Sequence, residues 1–112
     1  DASADSVIVS IKNPSNQSTV SSGNLNIKAK IVSLDKLKNV KIKLNGEEIK
    51  SWNEDKKDID EIISLTDEKV YELQIIATNE KDKTGDSTIK FGVNKPWDYV
   101  TPTPTFTPTP TL

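Results

Sequence analysis

Hydrophobic and polar residues alternate with a period of two along most of this chain. The pattern is clear in VIVSIK at 7–12, LNIKAKIV at 25–32, NVKIKL at 39–44, VYELQIIAT at 70–78 and STIKFGV at 87–93. Successive side chains of a β-strand point to opposite faces of its sheet, so such alternation predicts strands with one buried face. The predicted inward residues are Val7, Val9, Ile11, Leu25, Ile27, Ala29, Ile31, Val40, Ile42, Leu44, Tyr71, Leu73, Ile75, Ala77, Ile89, Phe91 and Val93.

Two connections in the sequence predict hairpins. The segment at 39–44 runs directly into Asn45-Gly46, which EEIKSW at 47–52 follows. Both central residues of a type I′ turn need positive φ, so Asn-Gly between two strand segments is a strong hairpin signal. The glycine-containing polar stretch NEKDKTGD at 79–86 predicts a second hairpin with a longer loop.

The stretch EDKKDIDEIISL at 54–65 fits two kinds of secondary structure. Ile59, Ile62 and Ile63 have helical spacing, whereas Ile63 and Leu65 continue an alternating pattern. The surrounding segments are all β, so we predict a strand here too. The result is an all-β sandwich of about seven short strands. Because the outward faces are polar, we predict antiparallel pairing, since buried parallel strands are apolar on both faces.

The order of several short motifs resembles that of bacterial immunoglobulin-like domains in secreted and cell-surface proteins. The resemblance covers residues 7–94, from a Pro-x-x-x-x-x-Val turn through an Asn-Gly hairpin to a Y-x-L-x-I-x-A-x-N strand and a glycine-containing loop. The matching residues are Pro14, Val20, Asn45, Gly46, Tyr71, Leu73, Ile75, Ala77, Asn79 and Gly85. It implies an antiparallel immunoglobulin-like β-sandwich with an extended Pro/Thr-rich tail, and an extracellular or cell-surface location. It implies no ligand.

Composition narrows the range of functions. The 112-residue chain has 15 Lys and Arg against 17 Asp and Glu, so it offers no basic field to a nucleic acid backbone. It contains no apolar run of about 18 residues, so we predict no membrane insertion. His and Cys are absent, which removes the commonest general base and most zinc ligands. We therefore expect no nucleic acid partner, no cofactor, no metal and no enzymatic activity.

Three regions are predicted along the chain: a flexible leader at 1–6, the sandwich at 7–95, and a Pro/Thr-rich linker or tail at 96–112. The predicted inward residues all precede residue 95, so the sandwich is expected to fold without the tail. The last twelve residues, TPTPTFTPTPTL, favour an extended polyproline II form about 37 Å long. Such runs resemble the linkers of secreted bacterial proteins. The tail is then either a bare spacer or one O-glycosylated at Thr101, Thr103, Thr105, Thr107, Thr109 and Thr111.

The candidate ligand sites each have a simpler structural interpretation. Trp52, Trp97 and Tyr99 are candidates for an aromatic platform that stacks on sugar rings, although aromatic residues near strand ends more often close the base of a sandwich. The acidic run at 53–61 contains lysines and lacks calcium-loop spacing, which favours a solvated loop. Strand lysines fall on the polar faces, which argues against an internal isopeptide bond.

These observations favour a noncatalytic extracellular module that acts as a spacer or as an adhesion and interaction domain. Its partners would be other domains of the same protein, neighbouring subunits, or cell-wall and extracellular polysaccharide, and its parent would include a cell-wall or polysaccharide-acting enzyme. Two alternatives stay open. One is a carbohydrate-binding module. The other is a self-assembling filament subunit whose tail packs on a neighbour through Trp97, Tyr99, Val100, Phe106 and Leu112.

Overall fold

The computed structural model describes residues 7–99, which form two β-sheets packed face to face. Within these residues there are eight strands and no helix, so no helix that could cross a membrane is present there. The strands are β1 (Ile8–Asn13), β2 (Ser18–Val20), β3 (Gly23–Val32), β4 (Leu37–Leu44), β5 (Glu47–Trp52), β6 (Asp58–Leu65), β7 (Val70–Asn79) and β8 (Thr84–Val93).

The strands are distributed over the two sheets as in an immunoglobulin-like sandwich. One sheet has the order β1-β3-β6 and the other the order β2-β8-β7-β4-β5. The chain crosses from one sheet to the other five times: after β1, after β2, after β3, after β5 and after β6. Such crossings between antiparallel sheets are the Greek-key connections of this fold.

The first edge of the sandwich differs from the prediction. The sequence does not predict β2, because a three-residue strand is too short to show alternation. It pairs in parallel with β8, so the prediction of antiparallel pairing throughout is wrong at this one edge. The reason is that β1 and β2 run in the same direction, with the chain passing from one sheet to the other without reversing.

The strand pairing decides two stretches that were uncertain in the sequence, the segment at 54–65 and the loop of the second hairpin. The segment Asp58–Leu65 is a strand, paired with β3 from Lys30 opposite Asp58 to Gly23 opposite Leu65, which confirms the β interpretation. The second hairpin has a shorter loop than predicted, because β7 ends at Asn79 and β8 begins at Thr84. The predicted loop was too long because outward polar residues of β8 resemble loop residues in the sequence.

The hydrophobic core lies between the sheets and confirms the predicted alternation. Of the predicted inward residues, all are buried except Ile11 and Leu44, which are half-buried and pack against the core. Leu37, Ile59 and Leu65 complete the buried hydrophobic set. Fully burying one such side chain stabilises the fold by about 1.5–3 kcal/mol, so this core accounts for most of the driving force for folding.

One buried polar residue fixes the loop between β7 and β8. Asn79 is fully buried, and its Oδ1 accepts hydrogen bonds from the backbone N–H groups of Lys81 and Lys83, both at 2.9 Å. Its Nδ2 donates to Ser33 Oγ at 3.4 Å. The side chain therefore satisfies backbone groups of the loop that no strand pairing reaches.

The first and last strands connect opposite ends of the sandwich. The start of β1 lies beside the loop between β7 and β8, where a Cβ on Gly85 would clash with the Val7 carbonyl oxygen. The last strand, β8, begins at this same end and runs to the other, where the Asn45-Gly46 turn lies. The chain thus enters the sandwich at one end and leaves it at the other.

Candidate functional site

The chain reverses direction immediately after β8. Asn94 has a φ of 55°, a left-handed conformation that Asn adopts more readily than most residues. Its backbone N–H donates to Val20 O at 2.8 Å, and its Nδ2 donates to Glu68 Oε2 at 2.7 Å. We call the segment 94–99 the stem, because these contacts hold it against the end of the sandwich.

The stem lies on the outer face of the five-stranded sheet. A Cβ on Gly92 would clash with the carbonyl oxygen of Lys95, so the absence of a side chain at Gly92 is what allows the close approach. The same carbonyl accepts a hydrogen bond from Thr19 Oγ1 at 3.1 Å. Tyr99 N–H donates to Pro96 O at 2.9 Å and closes a turn. Backbone contacts therefore position the aromatic residues of the stem.

The stem and the sheet enclose an open depression of about 400 Å³. Glu72 and Lys90 lie opposite each other on neighbouring strands and form its floor, since the residues before and after them face the core. The residues that line this depression are Asn45, Val70, Glu72, Lys90, Trp97, Asp98 and Tyr99. We call it the stem depression.

The Asn45-Gly46 turn borders the stem depression. The φ angles of these residues are 52° and 81°, as a type I′ turn requires, so the predicted hairpin is confirmed. Asn45 also binds β7 twice, because its backbone N–H donates to Glu72 O and its Oδ1 accepts from Glu72 N–H, both at 2.8 Å. The turn is therefore fixed to the sheet beside the depression.

The structure brings two of the three predicted platform residues together. Trp97 is half-buried, and Tyr99 is 38% exposed; both line the stem depression. Lys95 Nζ lies 4.8 Å from the centroid of the Tyr99 ring, in the geometry of a cation–π contact. The ammonium covers one face of this ring, so at most the other face can contact a ligand.

Trp52 lies elsewhere, so the three residues do not form one platform. It stands opposite Val40 at the end of β5, on the inward side of the five-stranded sheet, and packs against the core. Lys56 Nζ lies 4.8 Å from its ring centroid and also 4.0 Å from Glu61 Oε2. Because one face meets this ammonium and the ring borders the core, Trp52 closes the edge of the sandwich.

Tyr71 has a role that the sequence interpretation missed. It is buried at the start of β7, stacks on Phe91 with ring centroids 5.7 Å apart, and donates a hydrogen bond from its hydroxyl to Asp67 O at 3.3 Å. This is the tyrosine corner of immunoglobulin-like sandwiches, in which the hydroxyl ties a strand to the preceding connection. Burial, and secondarily the negative charge of Asp67, raise the pKa of Tyr71 above its ordinary value.

The acidic run at 53–61 is held by internal contacts. Asp55 Oδ1 accepts from Leu37 N–H at 2.9 Å, and Glu61 Oε1 lies 3.3 Å from Lys50 Nζ. Among residues 7–99 there is no cluster of three carboxylates arranged to hold a metal ion. The solvated-loop interpretation applies only to residues 53–57, because residues 58–61 belong to β6 and Ile59 is buried in the core.

The remaining predicted site residues lie outside the described residues. These are the glycosylation candidates Thr101, Thr103, Thr105, Thr107, Thr109 and Thr111, and the assembly anchors Val100, Phe106 and Leu112. Both roles stay predictions.

Comparison with known proteins places the fold. No protein-family profile and no curated protein match the chain. Among solved structures, it is similar to the fibronectin(III)-like modules of CbhA from Clostridium thermocellum, with a TM-score of 0.61 and 23% sequence identity over 79% of this chain. It is also similar to an engineered protein, with a TM-score of 0.56 and 19% identity over 78% of this chain. It is similar as well to a CARDB domain from Pyrococcus furiosus, whose structure is a complex with di-metal ions, with a TM-score of 0.51 and 14% sequence identity over 79% of this chain.

These similarities define the class of fold: a two-sheet β-sandwich of the immunoglobulin-like and fibronectin(III)-like type. The chain spans 46% of the length of the CbhA structure, 20% of the engineered protein and 85% of the CARDB domain. At these levels of identity the likeness shows the fold alone.

Proposed function

We propose that this sandwich is a noncatalytic spacer module of an extracellular bacterial protein. The observation that carries the proposal is the path of the chain: β1 begins at one end of the sandwich and β8 ends at the other. A module connected in this way separates whatever precedes it from whatever follows by the length of its strands. Ten residues of β8 correspond to about 33 Å.

The stem supports this role because it fixes the direction in which the chain leaves. Asn94 is bound to β2 through Val20 O, and the Lys95 carbonyl is bound through Thr19. A free linker would begin to move at the last strand residue. Here the first residues after β8 are held by the sheet, so the module controls both separation and orientation up to Tyr99.

A noncatalytic role agrees with the chemistry of the stem depression. Its two carboxylates, on Glu72 and Asp98, are both exposed. General acid–base catalysis by a carboxylate pair works in an enclosed site that excludes water and shifts proton affinities. Exposed carboxylates in an open depression remain hydrated, which leaves them suited to hydrogen bonding rather than to proton transfer.

The extracellular assignment rests on the resemblance to bacterial surface domains and on the Pro-Thr run at 101–112. Fibronectin(III)-like neighbours among solved structures support it. Within this proposal the module is attached to a cell-wall or polysaccharide-acting enzyme. O-glycosylation of the threonines would stiffen the run further, and intact-mass analysis of the protein from its native source tests that.

The charges on two of the sheet edges favour a monomer over a filament subunit. The edge strands are β1, β2, β5 and β6, and of these β5 and β6 expose the acidic residues Glu47, Glu48, Asp58 and Asp60. Charged residues on edge strands oppose pairing with a second copy. The strand lysines Lys28, Lys30, Lys41 and Lys43 also oppose edge pairing if they lie at an edge, but they lie on inner strands of their sheets, so the protection comes from the acidic residues of β5 and β6.

Light scattering of the whole chain at increasing concentration, with negative-stain microscopy, tests the spacer proposal against assembly. We expect a mass of 12.4 kDa at every concentration and no filaments. Regular filaments that disappear in Phe106→Ser and persist in Leu34→Ser would contradict it. Leu34 is a suitable control because it is 78% exposed at the opposite end of the sandwich.

A further inference from the structure

We propose that the stem depression binds a neutral, β-linked glycan chain, with Trp97 and Tyr99 as its stacking surface. This activity goes beyond the spacer role and does not depend on it. It would let the module attach to a polysaccharide while it holds its neighbours apart.

The aromatic residues supply the apolar part of the site. Trp97 and Tyr99 are brought to one depression by the turn that Tyr99 N–H closes on Pro96 O. A β-linked pyranose with equatorial hydroxyls presents its axial C–H groups as a flat apolar face. Such a face packs on an aromatic ring, while the ring edge and hydroxyls remain solvated. Tyr99 is 38% exposed, and the ring face that Lys95 leaves uncovered is the one available to a sugar.

The polar residues around the rings supply complementary hydrogen-bonding groups. Glu72 and Asp98 contribute carboxylate acceptors, and Lys90 contributes an ammonium donor. Neighbouring sugar hydroxyls both donate and accept, so they can satisfy this mixed set. The carboxylates of Glu72 and Asp98 are balanced by the ammonium groups of Lys90 and Lys95, so the site has no excess charge that would attract a charged polymer, and for this reason we infer a neutral glycan.

The walls of the site are formed before a ligand arrives. The Asn45 turn is held by two hydrogen bonds to Glu72, and the stem is held through Gly92, Asn94 and Thr19. Preorganised walls lower the entropy cost of binding. Trp52, in contrast, borders the core and carries Lys56 over its ring, and we assign it no contact with the glycan.

A polyproline segment from a second copy is the main competing occupant, because aromatic grooves also bind such segments. Proline has no backbone N–H, so in a Pro-Thr run only the threonines, at every second position, donate to Glu72 and Asp98, through their N–H and hydroxyl groups. A glycan offers hydroxyl donors at every ring. The carboxylates therefore favour the glycan.

Two-dimensional NMR titration of the whole chain tests the proposal, with cellohexaose and xylohexaose as probes. The chain has two tryptophans, Trp97 in the stem depression and Trp52 at the edge of the sandwich, so the Trp52 indole N–H signal is an internal control for binding away from the site. With at least one probe we expect saturable shifts of the Trp97 indole and the Glu72 and Lys90 amides at concentrations up to about 10 mM, with the Trp52 indole unchanged. The lack of any saturable shift with either probe, or equal shifts at both indoles, would overturn it.

Three variants localise the binding. Tyr99→Ala should weaken it about tenfold or more by removing a stacking face, and Glu72→Gln should weaken it severalfold. Leu34→Ala, at the far end of the sandwich, should bind like the unmodified chain. Unchanged affinity in both Tyr99→Ala and Glu72→Gln contradicts the site. A peptide with the sequence of residues 101–112 that shifts the same signals, when the two oligosaccharides do not, would show a polyproline site instead.

Discussion

Single residues in this sandwich fix places where regular strand pairing ends. Asn45 adopts positive φ in the turn and at the same time binds the backbone of Glu72 in both directions. Asn79 fixes the loop between β7 and β8, because its buried amide oxygen accepts hydrogen bonds from the N–H groups of Lys81 and Lys83. Each side chain replaces strand hydrogen bonds with its own, so both residues stabilise the fold, and Asn45 in addition fixes one wall of the stem depression.

The first residue-scale prediction concerns Gly46. Its φ is 81°, and a Cβ there would meet no atom within 4 Å, so any cost of substitution comes from the backbone conformation alone. Gly46→Val should lower the free energy of unfolding by about 1–3 kcal/mol, because a β-branched residue is strained at positive φ. Gly46→Asn is the matched control, since Asn tolerates this region, and it should change stability far less. Equal denaturation midpoints for the two variants would show that the turn relaxes.

Tyr71 makes stability depend on pH in the alkaline range. Burial and Asp67 raise its pKa in the folded state above the ordinary value of 10.0. The folded state then holds the phenolic proton more tightly than the unfolded state does. This contribution is fully present below pH 10 and is lost as the pH rises through the folded-state pKa.

Tyr71→Phe separates this effect from the titration of lysines. At pH 7 the variant should lose about 0.5–1.5 kcal/mol, because the hydrogen bond to Asp67 O is removed while the ring stacked on Phe91 is kept. Between pH 9 and about pH 11 the gap between the two proteins should narrow. Urea denaturation at several pH values measures this, and a gap that is constant or grows with pH would refute the linkage.

At the scale of elements, the stem depends on the outer face of β8. Gly92 has no side chain, so the Lys95 carbonyl can approach it closely, and the positive φ of Asn94 turns the chain back over β8. The domain boundary predicted at residue 95 falls inside this packed segment. The contribution of the stem to the free energy of unfolding therefore comes from its packing on the outer face of β8.

A double-mutant cycle between Gly92→Ala and truncation after Asn94 measures the packing of the stem. In the whole chain Gly92→Ala should destabilise the fold by about 1–3 kcal/mol, because the new Cβ collides with Lys95 O. In the truncated chain, which lacks the stem beyond Asn94, the same substitution should be nearly neutral. Additive effects in thermal or chemical denaturation would mean that the stem does not pack as described.

The main strands could be predicted because alternation is a local signal. The inward residues of β3 and β7 follow it without exception, and Asn45-Gly46 identifies the hairpin. β2 could not be predicted, since three residues show no period and its parallel partner is distant in sequence. Pairings of this kind are decided by tertiary contacts, which a single sequence does not display.

The candidate site was predicted only in part for the same reason. Trp97 and Tyr99 stood out as aromatic residues beyond the last strand, and the structure brings both to one depression. Glu72 and Lys90 look like ordinary outward residues until the pairing of β7 with β8 sets them opposite each other. Trp52 stands opposite the inward Val40 because the hairpin register shifts by one residue between Ile42 and Lys43. Counting back from the turn without this bulge sets Trp52 opposite Asn39, on the outer face, so the sequence alone does not place Trp52 correctly.

At the scale of the whole molecule, the sandwich is a single body that the chain enters at one end and leaves at the other. Rigidity follows from a continuous core between two sheets, and the opposite ends follow from the direction of β1 and β8. Neither property requires a ligand or a second copy. A glycan bound in the stem depression would leave both unchanged.

The most direct test of this claim is a distance measurement across the module by pulsed electron paramagnetic resonance. The chain has no cysteine, so Ile8→Cys and Asp98→Cys, both at exposed positions near the two ends, can carry two spin labels. A rigid sandwich should give a narrow distribution of label-to-label distances centred at roughly 20–30 Å. This distribution should not change when folded reporter domains are fused before Asp1 and after Leu112. A broad distribution reaching about 50 Å, as a flexible segment of this length would give, or a distance that shifts on fusion, would contradict it.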